Sequence, residues 1–122
     1  GGRVSAVIKK AESLQPVVYQ NRFGGNGEIS MKPLLSPEEF LGKGRLLSHS
    51  VIFPGSSIGY HTHRGDFETY YILKGEGVVN DNGVLTAVGP GDVVYTGSGE
   101  SHSIENTGQQ NLELIAMILF KP

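Results

Sequence analysis

Cysteine is absent from the 122-residue chain. That absence removes disulfides, thiolate metal sites and cysteine nucleophiles, and it makes a reducing cytoplasm the simplest setting. Basic blocks and basic amphipathic runs are also absent. Ten lysines and arginines against twelve acidic residues set a formal charge of −2. Nothing in that balance drives association with nucleic acid or an anionic membrane. The longest apolar run, residues 114–120, falls far short of a membrane span of ~20 residues. Residues 1–10 show neither the apolar core nor the small-residue cleavage site of a secretory signal. Helix signals are scarce as well. Only residues 36–41 carry one, with Ser36 as a cap, Pro37 at the first helical position and Gly42 as a stop.

Glycine is what the chain has in excess, with 18 residues against an average usage of ~7%. No Gly-X-Y period accompanies them, so the excess points to tight turns between short strands. β-rich runs cover residues 17–20, 28–35, 45–53, 58–63, 67–73, 77–80, 84–88, 93–96, 101–105 and 112–120, separated by turn-forming clusters such as Pro54-Gly55 and Gly89-Pro90-Gly91-Asp92. Asn82-Gly83 is the strongest short hairpin signal. Roughly nine or ten short strands at this spacing predict an all-β sandwich or barrel. The length suits one domain, residues 1–122, with a barrel core over about 45–120 and extra strands in 1–44. A core of that size needs no metal merely to fold, so any metal is expected to be functional.

The chemistry centres on the four histidines. His61 and His63 are two apart in a strand-like run, so both imidazoles leave the same face. Glu68 follows a turn that can return its carboxylate beside them, and His102 lies in a later strand. Two or three imidazoles plus one carboxylate on a concave face suit Mn, Fe, Co, Ni, Cu or Zn, and such sets leave positions open for water or substrate. Tyr70 shares the parity of Glu68 and is expected to line the pocket. Tyr95, Met117 and His49 are weaker pocket candidates. Arg64 and Asp66 read as solvated loop charges. A Ser101-His102 triad lacks a nucleophile elbow, and residues 24–27 lack the lysine of a phosphate loop.

Glycines frame these residues in two segments. The first runs Gly55, five residues, His61-x-His63, four residues, Glu68, six residues, Gly75; the second runs Gly91, Gly99, two residues, His102, three residues, Asn106. At these positions the chain resembles the cupin superfamily, including the small cupins similar to mannose-6-phosphate isomerase. It departs once, at Gly97, where that family usually has proline. The resemblance implies a double-stranded β-helix, or jelly-roll, barrel. It further implies His61, His63, Glu68 and His102 as the four ligands of one divalent transition metal ion (Mn, Fe, Zn, Ni or Co), and a homodimer. The implied function is an enzyme of isomerase, epimerase or lyase type acting on a small sugar-like or carboxylate-like substrate. The alternatives are a metal-dependent dioxygenase and a non-catalytic module that binds or senses a small ligand. No separate general acid or base is assignable from the sequence.

Overall fold

A computed structural model describes residues 7–122. Ten strands are present among them: β1 (Val17–Gln20), β2 (Glu28–Pro33), β3 (Gly44–Ile52), β4 (Ser57–Thr62), β5 (Asp66–Lys74), β6 (Gly77–Asp81), β7 (Val84–Val88), β8 (Val93–Thr96), β9 (Ser101–Asn106) and β10 (Leu112–Phe120). They pair antiparallel into a six-stranded sheet of order β1-β2-β3-β10-β5-β8 and a four-stranded sheet of order β4-β9-β6-β7. The two sheets face one another as a jelly-roll barrel, the all-β architecture expected from the turn spacing.

Alternation explains the packing. In β10, Leu112, Leu114, Ala116 and Ile118 are buried while the residues between them face outward. Ile29, Ile52, Ile72, Ile104, Leu112 and Leu114 are the most completely buried members of the core between the sheets. The Asn82-Gly83 hairpin forms as expected, with both residues at positive φ (50° and 96°), as a primed turn requires.

The expected helical turn is a 3-10 turn over Pro37–Phe40, where the Glu39 carboxylate accepts the Ser36 N–H at 2.8 Å. Lys9 also pairs with Glu39. Two further 3-10 turns, Ala11–Ser13 and Arg22–Gly24, carry no clear helix signal in the sequence.

The second of these turns connects β1 to β2 and presses on β4. A Cβ on Gly59 would sit 2.0 Å from the Phe23 carbonyl oxygen, and one on Gly25 would sit 2.3 Å from that of Ser57. Only glycine at both positions lets the two backbones meet this closely. Asn21 and Phe23 hold positive φ there, 52° and 53°.

Candidate metal centre

His61 near the end of β4, His63 just beyond it and His102 on β9 come from the four-stranded sheet, and Glu68 comes from β5 of the other. One ligand atom from each lies within 4.8 Å of all the others. Nε2 of His63 is 3.1 Å from Nε2 of His102, which is 3.2 Å from Nε2 of His61. Glu68 Oε1 lies 3.1 Å from Nε2 of His63 and 3.0 Å from that of His102.

The outward ring nitrogens explain this convergence. His61 Nδ1 donates to the Gly59 carbonyl at 2.8 Å, and His63 Nδ1 donates to Asp66 Oδ1 at 2.9 Å. His102 Nδ1 bonds the Thr96 hydroxyl at 2.8 Å. A carbonyl and a carboxylate only accept, so Nδ1 of His61 and His63 must carry the proton. In their neutral forms these rings aim lone pairs at a shared point; without an ion, a proton on Nε2 of His63 takes its place and donates to Glu68. Lone pairs and a carboxylate about 3 Å apart repel unless a cation or proton sits among them. Three imidazoles, one carboxylate and a polar partner behind each ring are the donor set of a divalent transition metal site. The residues present fit such an ion.

Ionisation follows the same geometry. Burial pushes the Glu68 carboxyl up, but hydrogen bonds from His102 and His63 prevail and hold it at about 2. The bond to Glu68 raises His63, whereas burial lowers His61 and favours its neutral form. Burial, and then the charge of Glu68, push the Tyr70 hydroxyl well above its ordinary range.

His61, His63 and Glu68 line a cavity of about 250 Å³. Leu46, Ile58 and Ile118 give it apolar walls, and Arg22, Phe23 and Arg45 stand at its rim. Tyr70 lines it, buried, with its ring stacked 5.2 Å from that of His102. A second depression, of about 380 Å³ and lined by Gly75, Glu76, Pro90, Gly108, Gln109 and Gln110, holds one carboxylate and no imidazole.

Three candidate pocket residues lie elsewhere. Glu68 points inward, and its cross-strand partners are Thr96 on β8 and Ile118 on β10. Neighbours directly opposite share a face, so Tyr95 and Met117, one residue away, point out. Tyr95 is 60% exposed. His49 pairs with Ile115 on that outer face and bonds Glu113 at 2.9 Å.

Asp66 corrects the reading in the opposite direction. It is 6% exposed, not a solvated loop charge, because β5 begins at this residue and turns the carboxylate under His63. Its second oxygen accepts from Arg45 Nε at 2.9 Å. A carboxylate three residues after a histidine was the available signal. For Arg22 and Phe23 there was none, because they reach the site from a remote loop. Phe23 stacks on His61 with ring centroids 4.2 Å apart. The departure at Gly97 also has a cause: its N–H donates to Glu100 Oε1 at 2.9 Å, a bond that proline cannot make.

Comparison with known proteins agrees with the geometry. The cupin domain family model matches residues 48–118, and the chain belongs to the cupin family. An oxalate-binding protein of Thermotoga maritima is 47% identical over 115 residues, covering 94% of this chain and 95% of that protein. The crystal structure of a Thermotoga maritima protein described as a predicted oxalate decarboxylase, also 47% identical, superposes with a TM-score of 0.91 over 94% of this chain and 100% of that one. The cupin domain of Schizosaccharomyces pombe Cnp3 shares the fold at 15% identity, with a TM-score of 0.70 over 86% of this chain and 69% of that one.

Proposed function

We propose that the chain holds one divalent transition metal ion through His61, His63, Glu68 and His102, and that this centre binds oxalate or an equally short dicarboxylate. The observation that carries the reading is the charge in and directly behind the cavity. Arg22 and Arg45 match Glu68 and Asp66 one for one. A divalent ion then leaves two positive charges uncompensated, the complement of a dianion. The small cavity suits a ligand of few atoms, since drug-sized pockets span roughly 300–1,000 Å³. The name of the Thermotoga maritima relative supports the same ligand class.

When bound, the ion supplies a Lewis-acidic anchor for a carboxylate oxygen. The chain's own residues do the rest. The outward bonds of the three imidazoles fix their direction, and Leu46, Ile58 and Ile118 give the cavity apolar walls. Tyr70 stays protonated at neutral pH and remains a donor.

Isomerase or epimerase chemistry needs a base free to accept a proton. Glu68 would be committed to the ion, and Asp66 is committed to His63 and Arg45. Binding is therefore favoured over proton transfer. The test is calorimetry of protein loaded in turn with Mn, Fe, Co, Ni or Zn and titrated with oxalate. One oxalate per metal-loaded chain, and none without metal, is expected. No oxalate binding by protein shown to carry one ion overturns the ligand assignment, and turnover of bound oxalate to carbon dioxide makes the protein an enzyme.

A homodimer through the outer face of the six-stranded sheet belongs to the same proposal, because Tyr71, Leu73, Val93 and Tyr95 expose apolar surface there. Sedimentation at the mass of one chain would overturn it.

A further inference from the structure

The loop between β1 and β2 carries a cation with an unusual setting. The Arg22 guanidinium carbon lies 4.1 Å from the centroid of the Tyr19 ring and 4.7 Å from that of Phe23. Among the described residues, Arg22 takes part in none of the ion pairs, whereas Arg45 has its Nε committed to Asp66. Of the two arginines at the rim, then, Arg22 alone keeps its whole planar fork of donors open. Two aromatic rings hold that fork in place, and stacking of this kind lowers the entropy lost when a guanidinium engages a carboxylate.

The loop itself is placed by the chain. Gly59 supplies both the close packing surface for Phe23 and the carbonyl that orients His61. Phe23 then rests on the His61 ring. The element that aims a metal ligand thus also seats the arginine at the rim.

We infer that Arg22 is the specificity-determining residue of the cavity, its guanidinium fork taking the carboxylate of a short dicarboxylate that the metal centre leaves free. This assignment rests on the function proposed above. It predicts discrimination by the number of carboxylates, because a monocarboxylate anchored at the centre offers Arg22 nothing to grip.

The experiment compares oxalate with acetate on metal-loaded wild type, Arg22→Gln and Arg22→Lys, read by calorimetry. A chelator competition on the same samples reads metal affinity, and a melting curve reads folding. Losing a hydrogen-bonded charge should weaken oxalate binding about tenfold to a hundredfold in Arg22→Gln. Acetate, which feels only a screened surface charge, should change by less than about threefold. Arg22→Lys should recover part of the oxalate affinity, since it keeps the charge without the fork. Metal affinity and melting temperature should match wild type in both variants. Equal oxalate affinity in wild type and Arg22→Gln overturns the assignment, as do equal losses for oxalate and acetate. Wild type that carries metal and takes no oxalate instead defeats the underlying functional reading, so the two failures are separable.

Discussion

Changing Asp66 to asparagine should weaken metal binding about tenfold to a hundredfold, the range found when a partner behind a metal-bound imidazole is removed. The structure shows why. Asp66 is buried, with Oδ1 accepting from His63 Nδ1 and Oδ2 from Arg45 Nε, each at 2.9 Å. Asparagine keeps the shape and has one acceptor and one donor in place of two acceptors. If its NH₂ faces His63, Nδ1 must accept, the ring proton moves to Nε2 and the lone pair aimed at the metal is lost. If its carbonyl faces His63, the NH₂ meets Arg45 Nε, donor against donor. Either way one charge-assisted bond goes, worth roughly 1.5–3 kcal/mol, and about 1.4 kcal/mol is a factor of ten. The assay is competition for Mn and Zn against a fluorescent chelator at neutral pH, with urea unfolding of the metal-free protein to confirm that the variant folds. Wild-type protein holding one ion, with a folded Asp66→Asn variant within about twofold of its affinity, would refute the tautomer reasoning.

Glu68 titrates at about 2 in the fold against an ordinary 4.5, so its contribution to stability is present above pH 4.5 and lost as pH falls towards 2. Metal-free wild type should lose melting temperature across that window and Glu68→Gln should lose less; parallel curves would contradict the assignment. Gly59→Ala would set its Cβ 2.0 Å from the Phe23 carbonyl and 2.7 Å from the Gly25 nitrogen, so the loop must shift at a cost of about 1–3 kcal/mol; an unchanged urea midpoint speaks against that contact. His49→Gln breaks only the outer-face bond to Glu113, worth about 1 kcal/mol or less. Metal content should be unchanged, and its loss would return His49 to the centre.

Strand positions were largely legible in the sequence, because turn-forming clusters bound nearly every strand and Asn82-Gly83 marks its own hairpin. The convergence of the histidines was partly legible: H-x-H spacing places His61 and His63 on one face, but only pairing between β4 and β9 brings His102 opposite His61. Inter-strand register is set by pairing between strands distant in the chain, which no local pattern encodes. The faces of Tyr95 and Met117 follow from Glu68 opposing Thr96 and Ile118. Asp66 looked like a loop charge because its burial depends on Arg45, a residue of another strand. Arg22 and Phe23 had no local signature, since their proximity to His61 comes from two glycines, Gly25 and Gly59, meeting across the fold.

Glu68 bonds from the six-stranded sheet to His63 and His102 on the other side of the barrel. Local opening of β5 must break these bonds, and so must fraying of β4 and β9. A ligand bound among the four side chains, a proton included, therefore draws on the breathing of both sheets. Hydrogen-exchange protection of amides on β5 and β9 should accordingly rise together and by similar factors when the centre is filled, making the barrel's slow motions a direct gauge of its occupancy.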